Sequence, residues 1–222
     1  MTPIEPPRTN PPQLPPLIAL DPGEACDGES FSEALLTWSG EVASVIGADI
    51  ADSRLARLPS EQLNARRLRL AEVEVADPSV VTCNAPRSHW RGVVVEGGSI
   101  GVLDCSGANW QNVTLRGVRI GYANLREATL NDVNLVGCRI GTLDIAGATT
   151  KRVALRECLV DDLDVRHRTG DHLDLRGLDV VRLNRLEGAD SLVGATITDQ
   201  QARWLGPTLA AALRISITEE DS

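Results

Sequence analysis

The feature that most constrains this chain is a repeat of five residues. In the stretch YANLREATLNDVNLVGCRIGTLDIAGA every fifth position is apolar: Leu125, Leu130, Leu135, Ile140 and Ile145. Two residues before each stands a second apolar or small side chain: Ala123, Ala128, Val133, Cys138 and Leu143. Carried in both directions without a gap, the register gives 29 pentads with central residues from Ile50 to Asp190. The central column is apolar at 24 of the 29 positions, the column two before it at 23, and the column between them at only 4. A helix repeats every ~3.6 residues and a strand every two, so neither keeps phase with five. A chain that turns once per pentad does. The central residue and the one two before it then point inward, as in a short strand, and the residue between them points out.

Four pentads close a square coil, and successive coils stack at about the 4.8 Å spacing of neighbouring strands. The pattern A-[DN]-L-x-x, seen at Ala123-Asn124-Leu125, resembles the pentapeptide-repeat family. That resemblance implies an all-β chain: a right-handed quadrilateral parallel β-helix, here of about seven coils of four pentapeptides, with short helical caps at both ends. It implies the fold more strongly than any activity, because the family serves many functions.

Stacking predicts columns of residues one coil apart. One inner column reads Leu55, Val75, Val95, Leu115, Leu135, Leu155, Leu175 and should form a continuous aliphatic ladder. Another reads Ile50, Leu70, Trp90, Trp110, Leu130, Thr150, Gly170, Asp190; it should stack Trp90 on Trp110 and weaken towards the C-terminus. The scarcity of aromatics, one Phe and one Tyr beside four Trp, fits a core of thin aliphatic layers. Cys138 and Cys158 fall on one inner column and Cys105 on another. The odd count of five cysteines, with no C-x-x-C spacing, argues against a disulfide framework or a zinc site.

The register divides the chain into a proline-rich flexible tail (1–23), an N-terminal cap (24–47), the β-helix (48–192) and a C-terminal capping helix with its tail (193–222). The tail holds one Pro-x-x-Pro, Pro12 to Pro15, of the kind a proline-binding groove takes. In the cap, residues 29–38 (ESFSEALLTW) read as a short helix with a Ser30/Glu33 capping box. Near the C-terminus Thr198 or Asp199 can cap a helix carrying Ala202, Leu205, Leu209, Ala210 and Leu213. Pro207 is expected to kink or divide it, and Arg214 to Ile217 to form a short closing strand. This ending resembles those of actinobacterial pentapeptide-repeat proteins. The resemblance implies a capping role and, in some members, a dimer interface, here through Trp204, Leu205 and Leu209.

Catalytic motifs are weak. Gly97-Gly98-Ser99-Ile100-Gly101 matches G-x-S-x-G, but Ser99 sits at an outward position of an unbroken phase rather than on a strand-to-helix turn. His89, His167 and His172 all fall on outward columns. No phosphate loop, H-E-x-x-H or EF-hand pattern occurs, so neither cofactor nor metal is implied. Arg168-Thr169-Gly170-Asp171 breaks the phase by turning Arg168 inward. An unpaired buried guanidinium is prohibitive, so the coil should bulge and expel it, placing His167, Arg168 and His172 on a surface loop. No run of apolar residues is long enough for a membrane span and no secretory signal is visible, which makes a cytoplasmic location the expectation.

The best-supported function is a non-enzymatic protein-binding scaffold whose partner is unknown. The family resemblance implies an alternative: a DNA mimic that binds DNA gyrase and modulates its activity or quinolone sensitivity. The net charge of −9 favours a mimic, but its distribution does not. Residues 48–190 carry 20 acids and 19 Arg and Lys, and most of the excess lies outside them. The densest acidic stretch runs from Glu157 to Asp190, with nine acids and five Arg; Asp161, Asp162, Asp164, Asp174 and Asp179 are the candidate partner-binding face. No basic stripe marks a nucleic-acid surface.

Overall fold

The computed structural model describes residues 4–218; residues 1–3 and 219–222, the outer parts of the two expected tails, lie outside them. The chain winds into a right-handed quadrilateral β-helix of about nine turns, two more than the sequence register suggests, and ends in one helix, α1 (Asp199–Ala212). Among the described residues the strands form one sheet of 11 and one of 7, each strand pairing in parallel with those one coil away. Trp110 pairs with Trp90 and Leu130, and Leu115 with Val95 and Leu135, so the 20-residue register is literal. Each coil alternates an eight-residue strand such as Asn109–Arg116 with a six-residue strand such as Arg119–Asn124. The long strands bend midway at a left-handed residue. Asp52, Glu72, Gly92, Asn112, Asp132, Arg152 and His172 form this corner, at φ between 47 and 65°.

The core is the set of inward columns. Every member of the aliphatic ladder from Leu55 to Leu175 is at most 7 % exposed. Trp90 and Trp110 stack as the register requires. All five cysteines are buried and unpaired as disulfides. Burial pushes the Cys83 thiol up to about 12 and Cys105 well above its ordinary value. The neighbouring Cys138 thiol, together with burial, raises Cys158.

Several expectations need correction. The helix over 29–38 is absent. Ser30–Ser32 and Ala34–Thr37 are strands that pair with Asp49–Ala56 at an offset of 19, Phe31 against Ile50 and Leu36 against Leu55. Glu33 is a left-handed corner (φ 54°), not the third residue of a helix, and Ala34 and Leu36 are buried. A strand here satisfies the edge of the next coil, which a helix could not.

The proline-rich segment is not a free tail. Ile18–Leu20 pairs with Ala34–Leu36 at the first rung, and Glu5, Arg8 and Asn10 bond to the coil surface.

At the other end the phase stops near Leu178. A 3-10 turn at Val180–Arg182 lengthens the coil, so Asp162 pairs with Arg185 and Leu173 with Ala195. Arg185 and Asp190 are consequently exposed rather than inward.

Finally, α1 is continuous through Pro207, which lies on its exposed side, and residues 214–217 form no strand. The coil also does not expel Arg168, which is 4 % exposed. The column that shrinks from Trp110 and Leu130 to Thr150 and Gly170 vacates the volume its guanidinium fills. Gly170 itself has φ 106°, and a Cβ there would overlap the Thr150 carbonyl oxygen, so only glycine fits.

Candidate interaction surfaces

The outward Asp or Asn of the repeat first serves the turn. Asp104, Asn124, Asp144 and Asp164 each accept, through Oδ1, the backbone N–H two residues on, at 3.0–3.2 Å. Asn124, Asp144 and Asp164 stand directly above one another. This Asx geometry explains why the repeat favours those two side chains. It also means that most acids of the column are already engaged.

The proposed acidic face is split accordingly. Asp161, exposed, and Asp162 and Asp164 share the strand Leu159–Asp164, whereas Asp174 ends a strand of the other sheet. Asp164 is buried and gripped by Arg166, and Asp174 by Arg176. Burial acts to raise both carboxyls, but the adjacent guanidiniums and the Arg166 and Arg176 amides outweigh it and hold both below the usual carboxylate range. Asp179 caps the 3-10 turn by accepting the Val181 N–H at 3.1 Å. Around Asp162 and Asp164 lies an open depression of about 220 Å³ with Tyr122, Asp144, Arg166 and Arg185 on its walls, so cations and anions alternate there.

The other predicted groups are dispersed. Ser99 opens the exposed edge of a strand, with Gly97 and Gly98 at the corner before it. His89 and His167 are exposed on different coils. His172 is half-buried and accepts the Glu5 N–H at Nδ1, 3.1 Å away. Arg168 donates from Nη1 to the Thr150 hydroxyl (2.6 Å), and from Nη2 to the carbonyls of Ser191 (3.0 Å) and Val193. It joins the last regular coil to the cap; burial lowers its pKa. No group of three His, Cys, Asp or Glu among the described residues is placed to hold a metal ion, and no described helix is long and apolar enough to cross a membrane.

Helix α1 closes the open end. Thr198 and Gln201 form a reciprocal capping box, and the Gln201 amide donates to the carbonyls of Leu175 (2.7 Å) and Leu178 (2.8 Å). Leu205 is buried and Leu209 packs against the core, while Trp204 is 57 % exposed. Of the three residues assigned to a dimer interface, two thus face the coil and one faces outward. Leu213, Ile215 and Ile217 add further exposed apolar surface beyond the helix.

Sequence reasoning missed the most built surface. The corner column Asn112, Asp132, Arg152, His172 carries the segment from Glu5 to Asn10. The Arg8 N–H donates to Asp132 Oδ1 at 2.8 Å. The Asn10 N–H donates to Asn112 Oδ1 at 2.9 Å, and Asn112 returns a bond from Nδ2 to the Asn10 carbonyl. Arg152 grips both oxygens of Asp132 at 2.6 and 2.7 Å, and both residues are buried. Burial acts to raise the Asp132 carboxyl, but Arg152 and the Arg8 amide prevail and hold it low. The sequence signal was the polar column itself, 20 residues apart, below a proline-rich stretch long enough to cross it.

A model of the pentapeptide repeats family matches residues 104–139, with eight copies. No curated protein matches the chain. Two solved structures of trypsin-treated variants of QnrB1, described as a plasmid-mediated fluoroquinolone resistance protein, are similar at low scores. One is 16 % identical over 91 % of this chain and 100 % of that chain, with a TM-score of 0.25. The other is 17 % identical over 91 % and 98 %, with a TM-score of 0.23. The unbroken five-residue phase, the coils it builds and the repeat match agree that residues 104–139 carry pentapeptide repeats and that the same period runs on through the neighbouring coils.

Proposed function

We propose that the protein is a non-catalytic scaffold that binds another protein along the straight polar columns of its coil. The observation that carries this reading is the contact between residues 5–10 and the column Asn112, Asp132, His172, where side chains of successive coils hold an extended main chain. A surface that grips polypeptide in this way is equipped for protein recognition. The charge pattern supports a scaffold over a duplex mimic. A mimic needs regularly spaced, uncompensated negative groups, whereas Asp132, Asp144, Asp164 and Asp174 are each paired with an arginine.

The test is titration of the purified protein into a supercoiling reaction of purified gyrase, with and without a fluoroquinolone, beside photo-crosslinking from exposed column positions in host extract. The scaffold reading expects unchanged supercoiling and one discrete crosslinked partner mapping to the coil. Inhibition or drug protection at micromolar protein would replace it with the mimic. Crosslinks no more specific than those from a label on the exposed side of α1 would remove support for the columns.

A further inference from the structure

We infer that the corner column Asn112, Asp132, Arg152, His172 is a binding groove for an extended proline-rich peptide, filled in cis by residues 4–17 of the chain itself. The inference rests on the scaffold reading and names the class of ligand. Its basis is a match of two spacings. Neighbouring coils lie about 4.8 Å apart, so His172 and Asp132, two coils apart in sequence register, are separated by about 9.6 Å along the rod. A polyproline II chain rises about 3.1 Å per residue, so three residues span about 9.3 Å. Glu5 and Arg8, three residues apart, donate their N–H groups to those two side chains. The next donor, Asn10, meets Asn112 one coil further on. The direction of the segment opposes that of the coils, and it ends by entering the first rung at Ile18.

The prolines suit this task. Pro6, Pro7, Pro11 and Pro12 flank the three donors, so the residues without an N–H are those that need no acceptor. They also hold the backbone extended before binding, which lowers the ordering cost. Pro12 is buried against the coil, and Pro7, Thr9 and Pro15 are half-buried. Charge completes the groove: the Glu5 carboxylate takes the Arg8 guanidinium at 3.1 Å and lies 4.0 Å from Arg152, which in turn holds Asp132. Asn112 reads the main chain of Asn10 from both sides, a contact that depends on an extended backbone and not on side-chain identity. A tethered segment acts at an effective concentration of about millimolar. A partner's proline-rich segment of the same donor spacing therefore competes with it and enters when the strap lifts.

Hydrogen exchange on the full chain is the first arm of the test. The amides of Arg8 and Asn10 should be protected, and equally so at low and high protein concentration. Exchange at the rate of a free peptide would overturn the groove. Protection that grows with concentration would place the strap on a second copy and overturn occupancy in cis. The second arm uses a fluorescent peptide of residues 4–17 and the full-length double variant Arg8→Pro, Asn10→Pro, which removes two donors while preserving extended backbone. The peptide should bind this variant at least about tenfold more tightly than the unaltered chain, where the strap competes. Asn112→Ala in the same background, with an unchanged melting temperature, should abolish the difference. Protected amides without binding in trans would confine the contact to a structural strap. That result sinks the groove and leaves the scaffold reading to its own crosslinking test.

Discussion

The indole rings of Trp90 and Trp110 lie face to face, 4.7 Å between centroids and 12° from parallel. They do so because the two residues are one coil apart and paired across adjacent strands. Trp110 is fully buried, with Leu130 on its other side. Trp110→Ala should therefore leave a cavity that the rigid neighbouring coils cannot close, lowering stability by about 3–5 kcal/mol in urea unfolding. The near-ultraviolet circular dichroism of the stacked pair should vanish with it.

Leu135 packs between Leu115 and Leu155. Leu135→Asp places an unpaired carboxylate between them, several kcal/mol of uncompensated charge, and should yield an unfolded or insoluble chain. Thr129→Asp, at an exposed position on the same strand, should stay within about 0.5 kcal/mol of the parent. A folded Leu135→Asp protein with unchanged melting would refute the register.

Arg168 binds the cap through carbonyls that have no other described side-chain donor. Arg168→Met removes these part-buried bonds and takes the Arg168 donor from the buried Thr150 hydroxyl, which should cost about 1–3 kcal/mol. Hydrogen exchange should show residues 189–213 losing protection before the coil does. Uniform loss along the whole chain would contradict a role confined to the cap.

Acid should act through Asp132, Asp164 and Asp174, whose folded carboxyls sit below their usual range beside Arg152, Arg166 and Arg176. A depressed carboxylate stabilises fully above its unfolded pKa of about 4, and that contribution disappears as pH falls through the lower folded value. The melting temperature should thus be level from neutrality down to about pH 5 and fall steeply below about pH 4. Asp164→Asn combined with Asp174→Asn should flatten that acid limb.

The five thiols are buried, and burial raises Cys83 to about 12; the hydrogen bond with Cys158 lowers Cys138 instead, so there it is full burial that keeps a reagent out. A thiolate is the reactive form. An aromatic disulfide reagent should find no reactive thiol in the native chain and five in denaturant. Rapid native labelling at Cys83 would show that the coil opens locally.

The coil from Ile50 to Leu178 was legible because one constraint, five-residue phase, repeats until chance is excluded. Its ends were not, for separate physical reasons. Phe31 and Leu36 keep a spacing of five but sit one residue out of register with Ile50 and Leu55, so the coil that contains them looked like a helix start. The three-residue turn at Val180 shifted the closing strand in the same way. The local pentad does not reveal where Arg168 goes; its column does, because Thr150 and Gly170 leave the space the guanidinium fills. The strap has no period of its own to read. Its acceptors, Asn112, Asp132 and His172, lie over a hundred residues from it and become neighbours only when the coils stack.

The core, the strap and the cap all depend on that stacking, and disulfide trapping tests it most directly. Thr149 and Thr169 are paired across adjacent coils with their hydroxyl oxygens 3.3 Å apart on the exposed surface. Thr149→Cys with Thr169→Cys should oxidise rapidly to an intramolecular cross-link, since neighbouring strands place Cα atoms about 5 Å apart, within disulfide range. The buried native thiols should not interfere. Thr149→Cys with Arg156→Cys, at opposite ends of one strand, should not cross-link. Equal cross-linking of both pairs, or of neither, would contradict the 20-residue coil.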